Sequence, residues 1–97
     1  MSNVTTTVSR EKSKIFETIL SSPGMTEKCK IVLTISRQNI LVLGRLIEAG
    51  CLSDNTAFKD EVMAVLSIES LDEFKAIHEE ILRKGNLSDF YQRLKQL

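Results

Sequence analysis

KIVLTISRQNILVLGRLIEAG, residues 30–50, is the most apolar run of the chain and the stretch whose reading decides the fold. Two readings fit it. As one helix over residues 26–49, a turn of about 100° per residue gathers Ile31, Val32, Ile35, Ile40, Val42, Leu43, Leu46 and Ile47 on one broad arc. Lys30, Thr34, Arg37, Arg45 and Glu48 then fall opposite, although Ser36 and Asn39 interrupt the arc and Leu41 sits on the polar side. The second reading breaks the run at Ser36. Residues 28–35 then alternate as a half-buried strand, with Cys29, Ile31, Leu33 and Ile35 facing one way and Lys28, Lys30, Val32 and Thr34 the other. The β-branched Ile31, Val32, Thr34 and Ile35 favour the pleated form, and Ser36 becomes the cap of a helix over residues 37–49.

Both readings end at Gly50, where a left-handed residue satisfies orphan helix carbonyls and Cys51 packs back on Leu46. Both also place Leu43 and Leu46 at the centre of the core.

Outward from this stretch the chain reads as helices. Residues 1–8 are polar and Thr-rich, so a frayed end or a short edge strand is expected. Ser9 caps a helix carrying Ile15, Phe16, Ile19 and Leu20, which Pro23 and Gly24 stop. After a polar turn at 51–55, with Asp54 or Asn55 as cap, Phe58, Val62, Val65 and Leu66 recur at helical spacing. Ser70-Leu-Asp-Glu73 has the form of a capping box and predicts the next helix start. That helix carries Leu71, Phe74, Ile77 and Ile81 on one face, and Gly85 ends it. Asn86 or Ser88 caps a last helix with Phe90, Tyr91, Leu94 and Leu97 on one side. The expectation is a single all-α or nearly all-α domain, a small bundle of about five helices with one short strand at 29–35 if the second reading holds.

A chain of 97 residues is one domain by size, and with a single Tyr and 4 Phe its core should be aliphatic. Thirteen basic and thirteen acidic side chains cancel, so no net field draws the molecule to nucleic acid or to an anionic membrane. The halves differ, residues 1–45 carrying net +4 and residues 46–97 net −4. Such a division can steer a charged partner or pair two copies.

Nothing in the sequence demands a chemistry. His78 stands alone beside carboxylates and is expected on a helix surface, without a second His or Cys at metal-ligand spacing. Asp60-Glu61, Asp72-Glu73 and Glu79-Glu80 each diverge by about 100° on a helix instead of converging on one proton or cation. Cys29 and Cys51 read as reduced core residues of a cytoplasmic protein, with no signal peptide preceding them. No catalytic residue, metal or cofactor is expected. Gly44, inside a helix by either reading, lets another helix approach closely, and with Leu41 off the main stripe it is a candidate interaction surface.

Residues 28–67 carry one resemblance. A short alternating strand, a helix ending at Gly50, a turn with Ser53 and a second helix from about Thr56 resemble a ribbon-helix-helix regulator. The resemblance implies a dimer whose two strands pair into an antiparallel ribbon in the DNA major groove, with Lys28, Lys30, Val32 and Thr34 as outward readers. The reading that the residues themselves favour is a non-enzymatic regulatory or interaction protein. It acts through protein contacts, with a partner or as a homodimer, away from membranes and without a small-molecule substrate.

Overall fold

The computed structural model describes the backbone of residues 2–53 and 61–97, and the side chains from residue 10 onward within those ranges. Four α-helices lie among the described residues: α1 (Ser2–Leu20), α2 (Arg37–Ile47), α3 (Ile68–Lys84) and α4 (Ser88–Leu94). A π-helical turn, Glu48–Leu52, prolongs α2, and a 3-10 turn, Met63–Val65, precedes α3. The fold is a small all-α one, as the sequence predicts. The expected positions of Asp54, Asn55 and Phe58 lie outside the described residues.

The central stretch follows neither reading to its end. Ser36 is the N-cap of α2, its side chain accepting the Asn39 amide at 3.1 Å. The single helix over 26–49 is therefore not formed. Residues 27–36 belong to no helix, the backbone groups of 29–35 bond nothing within the chain, and no strand occurs among the described residues. Gly50 is not left-handed, because the helix widens into the π turn and carries on to Leu52. Ala49 and Gly50 are buried there. At the other end of the chain, α1 already begins at Ser2, so Ser9 lies inside the helix and residues 2–8 form no edge strand.

The third helix starts one turn earlier than the capping box predicts. Ser67 is its N-cap and accepts the Ser70 amide at 3.1 Å, so an S-x-x-S pair takes the place of the box at Ser70-Glu73. It closes in a Schellman motif: the Leu87 amide bonds the Leu82 carbonyl at 2.8 Å and the Asn86 amide bonds the Arg83 carbonyl at 3.0 Å. The left-handed residue of that motif is Asn86 (φ 58°), not Gly85. Gly85 instead leaves room for α2. A Cβ there would stand 3.1 Å from the Ile40 Cδ1 atom, since α2 crosses close at this point. Arg37, in the first turn of α2, donates from Nε to the Gly85 carbonyl at 3.0 Å and so occupies an orphan acceptor of α3.

The core is displaced from mid-chain to the carboxy-terminal half. Leu82, Leu87 and Tyr91 are buried together, and Ile40, Leu41 and Ile81 pack against them. Leu46, expected at the centre, is 59% exposed, and Val42 is exposed beside it. Leu41, expected on the polar side, faces inward. Gly44 is buried against Leu82 and Tyr91, its virtual Cβ 3.3 Å from Leu82 Cδ2, so the close approach it allows is made within the chain. On α4 only Tyr91 and Leu94 turn inward, while Phe90 and Leu97 face solvent.

Helix α1 touches the 3-10 turn, leaving Ile15 and Ile19 exposed. The resulting shape is open. The radius of gyration is 16.1 Å, where a compact chain of this length has about 12.5 Å. Its surface, 8105 Å², exceeds by about 2,500 Å² the ~5,600 Å² of a compact monomer of 10.9 kDa. No described helix is long and apolar enough to cross a membrane.

Candidate interaction surface

Between Gly24 and Ser36 the chain has left α1 and not yet entered α2: a turn in which the Glu27 amide bonds the Gly24 carbonyl at 3.2 Å gives way to residues 27–36, which belong to no helix or strand. The backbone groups of residues 29–35 make no hydrogen bond within the chain. Polar backbone normally finds a partner, and an extended run of free N–H and C=O groups is a template for another strand. The side chains are equally unpartnered. Val32 is 82% exposed, Ile31 71% and Leu33 69%, three consecutive apolar residues. Single exposed hydrophobes are ordinary on a protein surface, but a contiguous run of them on an open edge is not.

The residues singled out as DNA readers lie on this segment. Lys30, Val32 and Thr34 are exposed and fall on one side of the alternation, while Lys28 is held by an exposed ion pair with Glu73 of α3 at 3.2 Å. An exposed pair of this kind contributes little stability, and here it loosely ties the segment to the helical body.

A second unfilled surface lies between α2 and the end of the chain. It is an open groove of about 500 Å³. Leu41, Val42 and Arg45 form one wall, Leu94, Lys95 and Leu97 the other, with Tyr91 at the floor.

Beneath the groove sits a polar cluster that sequence reasoning missed. Glu48, set at the start of the π turn, accepts a short hydrogen bond from the Tyr91 hydroxyl. Its carboxylate also pairs with Lys95 at 3.2 Å and lies 3.7 Å from His78 Nε2. His78 is buried, not on the surface, and stands edge-on to Tyr91 with ring centroids 5.2 Å apart. Its Nε2 makes no hydrogen bond within the chain. The inward line of α3 runs from half-buried Phe74 to buried His78 and Leu82, at i, i+4 and i+8, one position removed from the Phe74, Ile77, Ile81 line, and Ile77 is exposed.

The charges settle as a structural node. Burial raises the Glu48 pKa, but the Tyr91 hydrogen bond, the Lys95 ammonium and His78 outweigh it, and the net value falls below 4.5. Burial, the bond to Glu48 and its negative charge push Tyr91 up to about 12, against a smaller opposing effect of Arg45. An ionised carboxylate locked to a phenol that strongly keeps its proton holds the π turn against α4. Among the described residues no group of three or more His, Cys, Asp or Glu side chains could hold a metal ion.

Compared with known protein families, curated proteins and solved structures, the chain matches none.

Proposed function

We propose that the protein is a cytoplasmic, non-enzymatic interaction and regulatory module that works as a homodimer, two copies pairing residues 30–35 as an antiparallel ribbon. The exposed, apolar segment ahead of α2, whose backbone at 29–35 bonds nothing within the chain, carries this reading. A second copy is the partner that the dimensions favour. A stable interface removes about 800 Å² from each partner, within the surface by which this chain exceeds a compact monomer. The division of charge between the two halves adds a reason for like chains to attract. Sedimentation over a range of concentrations tests it. The expected result is a dimer whose residue 30–35 amides are protected from exchange. Leu33→Pro, which removes a ladder donor, should return the chain to monomer with its helix content unchanged. A strict monomer at the highest soluble concentration overturns the reading.

The exposure of residues 28–34 outside any helix also favours a second reading, a DNA regulator using the outward side chains of the ribbon. Lys28, Lys30 and Thr34 are then the contacts. Duplex affinity should fall steeply with salt, and Lys28→Ala with Lys30→Ala should lower the salt slope by about one per lysine. Absence of duplex binding at low salt removes this reading and leaves the dimer untouched.

A further inference from the structure

Two strands paired alone are marginally stable at best in water, so the ribbon needs helices packed on it or beside it. The chain holds two unfilled apolar features of matching kind. One is the outer line of α1, where Ile15 and Ile19 stand one turn apart and exposed. The other is the open groove between α2 and the chain end, walled by Val42, Leu94 and Leu97. Within one chain they do not meet, since α1 touches the 3-10 turn and the groove is open.

Pairing the strands brings them together across the two copies. In an antiparallel ribbon the amino-terminal end of one strand lies beside the carboxy-terminal end of the other. The chain leaving α1 therefore arrives where the partner's α2 begins, one residue past Ser36. With the turn at residues 22–27 opened, residues 21–29 span up to about 30 Å, and α2, 11 residues long, rises only about 16 Å. The reach is sufficient. From this we propose that the exposed line of α1 docks in the α2–α4 groove of a second copy, each chain giving its helix and receiving the other's.

Such reciprocal exchange is the form a two-fold interface takes, one patch meeting another twice. Charge agrees with the arrangement. Glu11 lies on the same line of α1, one turn before Ile15, and the groove rim carries Arg45 and Lys95. The inference rests on the ribbon reading and accounts for apolar surface that strand pairing leaves bare.

The test separates the two. Ile15→Asp with Ile19→Asp should weaken the dimer by about tenfold or more while the monomer keeps its helix content, because both side chains are exposed in the single chain. In chains whose Cys29 and Cys51 are replaced by Ser and Ala, one copy carrying Ile19→Cys and another carrying Val42→Cys should cross-link on oxidation only when mixed. A cross-link formed within one chain bearing both substitutions overturns the proposal, since α1 then folds onto its own groove. A dimer of unchanged affinity in the aspartate variant, still abolished by Leu33→Pro, likewise overturns it and leaves the ribbon standing. A chain monomeric before any substitution overturns both.

Discussion

In the body made by α2, α3 and α4, Leu82, Leu87 and Tyr91 are buried and Gly85 packs close against Ile40. In the segment leading to α2, Ile31, Val32 and Leu33 have the same apolar character and stand exposed. The backbone repeats the contrast. Carbonyls at the end of α3 are taken by Asn86, Leu87 and Arg37, whereas those of 29–35 are taken by nothing. Apolarity alone therefore does not make a core; it makes a core where the chain also closes its hydrogen bonds. The amino-terminal half holds apolar surface and open backbone together, which is the condition for association.

The largest expected effect measures that contrast. Leu82→Ala should destabilise the monomer by about 2 to 5 kcal/mol, the cost of an unfilled cavity at the crossing of α2, α3 and α4. Leu33→Ala, the same deletion at an exposed site, should stay within about 0.5 kcal/mol in dilute solution, where the chain is a monomer. Denaturant midpoints of the two variants, compared at low protein concentration, decide it. Similar losses in both would mean that the segment packs on the body after all.

How much of this was legible in the sequence differs by region for physical reasons. Local signals were clear at Ser36, whose hydroxyl caps the amide three residues on, and in the existence of α1 and α4, but not in their faces: α1 begins at Ser2 with Ile15 and Ile19 exposed, and Phe90 and Leu97 face solvent. The start of α3 was misplaced because Ser67 and Ser70 both precede three residues ending in a hydrogen-bonding side chain, and only tertiary packing chooses between them. Gly50 was read as a stop because a π turn has no sequence mark of its own. The core was misplaced for a subtler reason. Ile31 to Ile47 is the most hydrophobic stretch, but periodicity cannot say whether a face meets its own chain or another. The Glu48, His78 and Tyr91 node was invisible because its members come from three separate elements. A count from Phe74 at intervals of four would have placed His78 on the buried line.

That node gives the next test, on the side of the body. Glu48 holds a depressed pKa in the folded chain, so the stability it brings is present above its unfolded value near 4.5 and lost as pH falls through the folded value. Tyr91 works in the opposite sense. Its folded value is about 12 against an ordinary 10, so its contribution is complete below pH 10 and disappears as pH climbs toward 12. With a single tyrosine in the chain, phenolate absorbance reads that titration directly. Glu48→Gln should remove the acid-side loss and move the tyrosine midpoint down toward about 10. A midpoint unmoved by the substitution would mean that burial alone raises it.

The smallest effect tests where the body begins. Ser67 accepts the Ser70 amide, so Ser67→Ala deprives the first turn of α3 of a partner and should cost about 1 kcal/mol. Ser70→Ala removes a hydroxyl but keeps the amide that Ser67 receives, and should stay within about 0.5 kcal/mol. The order of the two losses is what matters, because a helix starting at Ser70 demands the reverse. Were Ser70 the costlier position, Ile68 and Glu69 would leave the helix, and α3 would present one turn less of ordered chain near the Glu73 carboxylate that holds Lys28. The tether between the helical body and the open segment would then be weaker still, and the contrast between the two regions sharper.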